Sequence, residues 1–304
     1  MDYRRTGGAH GQRAGVPAMR RLAAATLALC VLLSGCGVSQ VDITSQPSPS
    51  AYTSPSTEAQ YTPSPSPSPN ADDLVRAVDI IPNLYTDVRY AADNNFTGAA
   101  IYDSAEVYLR YATAEKLARV QERLNAQGYS LCIWDGWRSL PAQFALWRAC
   151  PDPAYVSNPF SGLSGHCRGN TVDITLVTID GGYVEMPTDF DNFTALADRD
   201  YSDVSPAAAG NALLLQEEMY AEGFIGYQAE WWHYSDSDSY EIKETLEEAP
   251  IVNITSETRV YDAPDAGSSL LFTIPAGSPA AVLDDLGGWL LVRWEGAYGY
   301  IEAQ

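Results

Sequence analysis

Histidine is nearly absent from this chain, with three in 304 residues. Positive charge is scarce as well: 18 Lys and Arg face 39 Asp and Glu, for a net charge of −21. So acidic a chain has no basic footprint for phosphates, which excludes nucleic acid as a partner. The excess acid serves solubility instead. Long hydrophobic runs are missing too. The longest, LAAATLALCVLLSG over residues 22–35, is short of the ~20 apolar residues that span a bilayer. No two cysteines stand in a CxxC pair, which excludes a zinc-finger type of thiolate site. What is plentiful is core material. Hydrophobic residues make up 46% and aromatics 11%, enough to bury a real core, and the length allows two compact domains plus appendages.

The short apolar run follows Arg20-Arg21, so it reads as a secretory leader, with Met19 an alternative start. Leu33-Ser34-Gly35-Cys36 resembles a bacterial lipobox, which implies cleavage after residue 35, lipid on Cys36 and a membrane anchor facing the cell wall. The expected leader is thus 1–36. Residues 37–71 carry seven prolines among Ser and Thr, too little apolar surface to fold. In extended polyproline form such a stalk reaches roughly 100 Å. Beyond it lie Cys132, Cys150 and Cys167, an odd number for an exported chain. One bridge and one free thiol is the simplest arrangement. Cys150 and Cys167 flank one loop while Cys132 sits in a strand-like run, so the expected bridge is Cys150–Cys167.

From residue 72 the composition turns globular. Leu117, Val120 and Leu124 share a helical face over 113–127, and Gly128 supplies a stop. YSLCIW reads as a buried strand ended by Asp135-Gly136, and 141–149 as a short helix. Ser205 as N-cap, Pro206 at the first position and Gly223 past the end frame a second long helix. TVDITLV and EWWHYS are strands. Helices flanking separate strands predict an α+β fold.

Two of the three histidines fall in these ordered parts. His166 stands in the polar loop SGHCRGN, which runs into TVDITLV. There Val172, Ile174 and Leu176 point one way and Asp173 the other. His233 lies in AEWWHYS, three residues after Glu230. A regular strand would send residues three apart to opposite faces, so a shared site needs Glu230 in the preceding turn or a local twist. Two imidazoles and one carboxylate make a catalytic zinc set with a fourth position for water. Glu230 would serve it as general base.

SGHCRGNTVDITL resembles the Ser-x-His-x-Arg-Gly-x-x-x-Asp segment of the VanX-type D-alanyl-D-alanine dipeptidases, and EWWHY their Glu-x-x-His segment. VRYAADNNFTG, YLR and WDGWRS are similar to the family's upstream signatures, in the right order over about 74–240. The resemblance implies that His166, Asp173 and His233 bind one Zn2+ and that Glu230 is the base. Arg138 would stabilise the tetrahedral oxyanion. Ser164 and Asp191 would hold the dipeptide, Asp191 by pairing with its free ammonium, and Tyr90 would stand at the site's edge. Trp137 and Ser139 beside Arg138, and Cys167 beside His166, depart from the family pattern.

After an acidic connector at 241–250, residues 251–304 show short apolar runs between Gly and Pro turns. The pattern resembles bacterial Src-homology-3-like domains, implying a small all-β barrel that binds wall peptides or merely stabilises the chain. The peptidase domain would then span 72–240. The leading expectation is an exported zinc dipeptidase acting on D-Ala-D-Ala in wall turnover or D-alanine recovery. A D,D-carboxypeptidase trimming longer stem peptides, and a non-catalytic wall-binding lipoprotein, are the alternatives.

Overall fold

The structure is a computed structural model that describes residues 68–303. The leader, Cys36 and the stalk as far as residue 67 lie outside the described residues. Among those described, no helix is long and apolar enough to cross a membrane.

The chain opens with β1 (Leu74–Arg76), α1 (Ala77–Ile80), β2 (Tyr85–Thr86) and β3 (Tyr108–Arg110). Next come α2 (Tyr111–Ala126), β4 (Tyr129–Asp135), α3 (Leu140–Ala149) and β5 (Thr171–Thr178). The last helix, α4 (Pro206–Ala221), leads to β6 (Phe224–Tyr227) and β7 (Glu230–Asp236). Strands β2-β4-β5-β7-β6 form one sheet, antiparallel except between β2 and β4. This is the α+β arrangement that the periodicity predicts.

Local chemistry explains the boundaries. Leu117, Val120 and Leu124 turn one face of α2 inward and are wholly buried. The chain leaves α2 through Gly128 at φ 86°, where a side chain would be strained. Ser205 caps α4 by accepting a hydrogen bond from the Ala208 amide at 3.0 Å, with Pro206 behind it. α2 and α4 pack on each other and on the sheet. Val172, Ile174 and Leu176 of β5 are buried in the main core, each contributing about 1.5–3 kcal/mol, and Trp231 and Trp232 of β7 join it with their rings against Trp134 of β4.

The C-terminal part is β8 (Ile251–Asn253), β9 (Thr258–Tyr261), β10 (Leu270–Ile274), β11 (Pro279–Asp285), β12 (Trp289–Trp294) and β13 (Ala297–Glu302). They make one antiparallel six-stranded sheet in the order β10-β9-β13-β12-β11-β8. It has its own small core of Ile254, Val260, Ile274, Val292 and Ile301. It is not a free appendage. Leu140 and Phe144 of α3, together with Cys167, share a buried cluster with Leu283, Leu291 and Tyr300.

That cluster overturns the expected Cys150–Cys167 bridge: both are free thiols, as is Cys132. Cys167 is wholly buried in the shared cluster, whereas Cys150, at the end of α3, packs against the main core. Flanking one loop in sequence did not bring the two sulfurs to one place. Burial pushes the Cys132 and Cys167 thiols up to about 12, so neither is a reactive thiolate near neutral pH.

Candidate active site

Register places the chemistry. Asp173 of β5 pairs with Asp135 of β4 on one side and His233 of β7 on the other. Three adjacent strands thus carry a polar row at one level. His166 arrives from the short helical turn Gly165–Arg168, whose first amide groups are capped by Ser164: its Oγ accepts from the His166 amide at 3.3 Å.

Glu230 reaches the same place through an irregularity in the β6–β7 hairpin. Tyr227 pairs with Glu230, but its neighbour Gly226 pairs with Tyr234, so residues 231–233 are surplus on one strand. Such a bulge re-aims side chains. It lets Glu230 Oε2 stand 3.7 Å from His233 Nδ1 although the two are three residues apart. Arg199 braces this hairpin from outside. Its guanidinium donates to the carbonyls of Tyr227 and His233, both at 2.9 Å, and lies over the Tyr234 ring at 4.3 Å.

The donor set fits a metal ion. His166 Nδ1 lies 2.8 Å from the Gly136 carbonyl, which can only accept, so Nδ1 carries the proton. The other nitrogen, Nε2, then turns a lone pair toward Asp173 Oδ2 at 3.3 Å. On the far side His233 Nδ1 meets Asp173 Oδ1 at 2.9 Å. Lone pairs and a buried carboxylate converging in this way require a cation among them, either a proton or a metal. The ligand atoms of His166, Asp173 and His233 all lie within 4.8 Å of one another. Asp173 is held below the usual carboxylate range: burial opposes ionisation, but the two imidazoles outweigh it.

Arg138 is buried and fully oriented. It pairs with Asp135 at 2.5 Å, donates to the Tyr102 hydroxyl at 3.1 Å and to Gln143 Oε1 at 3.0 Å, and lies over the Tyr90 ring at 5.3 Å. Burial disfavours its charge, yet Tyr102 and Asp135 more than restore it, and the guanidinium stays cationic. The same Tyr90 donates its hydroxyl to Asp191 Oδ2 at 2.9 Å. Asp191 sits at φ 53°, a left-handed conformation that Asp tolerates better than most residues. Burial lifts its carboxyl to about 7, against the hydrogen bond from Tyr90. Glu230 is raised as well, by burial and by the charge of Asp173.

All eight residues singled out in the sequence for this site line one cavity of about 340 Å³: Tyr90, Arg138, Ser164, His166, Asp173, Asp191, Glu230 and His233. Sequence reasoning missed those that hold them. Asp135 sits inside the WDGWRS stretch already quoted, where a buried acid beside an arginine was a readable signal. Tyr102, Gln143 and Arg199 carry no local signal; only the fold brings them in. Tyr155, Phe193 and Tyr227 complete the rim.

The family model of the M15 peptidases, D-ala-D-ala dipeptidase, matches residues 70–251. The chain belongs to this family. It is 38% identical over 162 residues to the D-alanyl-D-alanine dipeptidase of Escherichia coli (strain K12), covering 53% of this chain and 83% of that protein. The D-alanyl-D-alanine dipeptidase of Enterococcus faecium is 30% identical over 176 residues, 51% of this chain and 87% of that one. The Streptomyces coelicolor (strain ATCC BAA-471 / A3(2) / M145) protein of the same name is 32% identical over 181 residues, 52% and 88%. Among solved structures, VanYB in complex with D-Alanine-D-Alanine is similar at 19% identity and a TM-score of 0.28, over 44% of this chain and 75% of that chain. The M15 peptidase thus carries a metal-type donor cluster in its matched part, while β9–β13 lie beyond the match.

Proposed function

We propose that this M15 peptidase hydrolyses free D-alanyl-D-alanine, with one Zn2+ held by His166, Asp173 and His233. The observation that carries the reading is the convergence of that donor cluster, Glu230 and Asp191 in one cavity. Bound there, zinc would supply the Lewis acidity that polarises the scissile carbonyl and lets water attack near neutral pH.

The side chains do the rest. Glu230, with its carboxyl raised by burial, is basic enough to take the proton of the attacking water and acidic enough to return it to the leaving amine. Arg138 meets the negative charge growing on the carbonyl oxygen. Asp135, Tyr102 and Gln143 fix it beforehand, so no reorganisation is needed during reaction. Asp191 pairs with the substrate ammonium, which draws its carboxyl back to the ionised form. The Tyr90 bond holds Asp191 in place. Ser164 keeps the His166 turn and offers its hydroxyl to the dipeptide.

The leader pattern supports export and lipidation at Cys36, with residues 37–71 as a stalk. We read the C-terminal sheet as Src-homology-3-like, placed to face wall peptides, in wall turnover or D-alanine recovery.

Substrate choice tests the reading. Free D-Ala-D-Ala is expected to be cleaved, with N-acetyl-D-Ala-D-Ala and a stem pentapeptide poor substrates. Loss of a buried charge pair costs ~2–5 kcal/mol, roughly 30-fold to several thousand-fold in rate. Asp191→Ala should therefore narrow the gap between free and acetylated dipeptide. Equal turnover of pentapeptide and dipeptide by the wild type would instead mark a D,D-carboxypeptidase.

A further inference from the structure

Residues 243–244, between the two sheets, clasp the catalytic loops from behind. The Lys243 amide donates to the Cys167 carbonyl at 2.9 Å, directly after His166. The Lys243 carbonyl accepts from Trp137 Nε1 at 2.9 Å, directly before Arg138. The Glu244 carbonyl accepts from the Leu140 amide at 2.8 Å, two residues after Arg138. The two loops are tied to each other as well, since the Arg138 amide donates to the His166 carbonyl at 3.2 Å. One dipeptide of backbone therefore sets where both a metal-ligand candidate and the oxyanion cation begin.

That dipeptide is pinned from the other side by its own side chain. The Tyr298 hydroxyl donates to Glu244 Oε1 at 3.0 Å, and Arg293 Nε stands 3.2 Å from Oε2. Both come from the C-terminal sheet, on β13 and β12. The Glu244 side chain is 19% exposed and that of Arg293 43%, so water partly screens the ion pair and the Tyr298 hydrogen bond is the better-sheltered hold. Beneath it the Phe144 ring meets those of Tyr298 and Tyr300 at 6.0 and 5.9 Å, and Arg148 donates to the Tyr300 hydroxyl at 2.7 Å. The family match ends at residue 251, so Arg293, Tyr298 and Tyr300 lie outside it.

We propose that Glu244 is a positioning residue for the hydrolysis: held by Tyr298 and Arg293, it fixes the backbone that aims Arg138 and seats the His166 turn. The C-terminal sheet is then a working part of the catalytic apparatus. The role of Arg138 in this statement rests on the function proposed above. A cation that acts only on the transition state must be held within a fraction of an ångström, and its loss of aim lowers kcat while leaving ground-state binding alone.

The test uses the full-length, metal-loaded protein with Glu244→Ala, Glu244→Gln and Tyr298→Phe. Two quantities are read: steady-state kinetics on D-Ala-D-Ala, and the rate at which a thiol reagent reaches Cys167, followed by mass of the Cys167 peptide. Glu244→Ala is expected to lower kcat about 10-fold with KM within about two-fold, and to expose Cys167 to faster labelling as the clasp lifts. Glu244→Gln, which still accepts from Tyr298, should recover most of kcat. Wild-type kcat with unchanged Cys167 labelling in Glu244→Ala overturns the proposal, as does a loss confined to KM or a Gln variant as impaired as Ala. If Glu244→Ala does not fold, Tyr298→Phe decides, removing one hydroxyl: a smaller change in the same direction supports, none overturns. If the wild type leaves D-Ala-D-Ala uncleaved, the substrate reading fails, and Cys167 labelling still judges the clasp.

Discussion

Asp191 is a carboxylate kept in a place that does not suit its charge. Burial lifts its carboxyl from 3.8 to about 7, so the folded protein holds a proton there that the unfolded chain releases near pH 4. Stability is unaffected below pH 4, falls as pH rises between the two values, and carries the full penalty above 7. Removing the charge should reverse this. In metal-stripped protein, Asp191→Asn is expected to gain about 1–3 kcal/mol at pH 8 and almost nothing at about pH 3, below the unfolded value. Asn also tolerates the left-handed backbone at that position. Urea titrations at the two pH values measure it, and an equal gain at both would remove burial of the charge as the cause. At this scale much was legible. His166, Asp173, Glu230 and His233 stood out because a chain poor in histidine spends two beside acids. Tyr102 and Gln143, which aim Arg138, did not: a hydrogen bond to a residue brought in by folding leaves no mark on its neighbours in sequence.

Elements explain what residue types could not. The period-2 rule put Glu230 and His233 on opposite faces, and the surplus residues 231–233 undo it. No turn signal or glycine inside EWWHYS announced this bulge, whereas the caps and stops of α2 and α4 were plain in sequence. The brace behind the bulge gives a sharp test. A Cβ on Gly226 would lie 2.6 Å from Arg199 Nε, still closer to Cζ, and the guanidinium cannot swing aside because it holds two carbonyls and a ring. Gly226→Ala is expected to cost about 1–3 kcal/mol of stability and to weaken metal retention, since the His233 carbonyl loses its partner. Gly210, exposed within α4 with nothing within 4 Å of an added Cβ, is the counterpart. Gly210→Ala should stabilise by about 0.5–1 kcal/mol with activity unchanged. Denaturant midpoints of both variants decide, and two shifts of the same sign would contradict the packing described.

At the scale of the whole molecule the C-terminal sheet shares buried surface with α3 and the Gly165–Arg168 turn. Leu140, Phe144 and Cys167 find their cover on Leu283, Leu291 and Tyr300. Composition shifts and turn spacing marked residues 251–304 as a unit, but a linear pattern cannot say which outer face of that unit is apolar because a neighbour lies against it. Two parts so joined should melt as one. A single calorimetric transition is expected, with coincident tryptophan and far-ultraviolet signals; two resolved transitions would show that the shared cluster adds little. The order in which the chain is made then acquires a meaning. A ribosome that has reached residue 250 has built every proposed metal ligand and Glu230, but neither Arg293 nor Tyr298 exists to secure Glu244. The site is finished last, by strands that contribute no atom to it, so a nascent chain carries the chemistry without the aim.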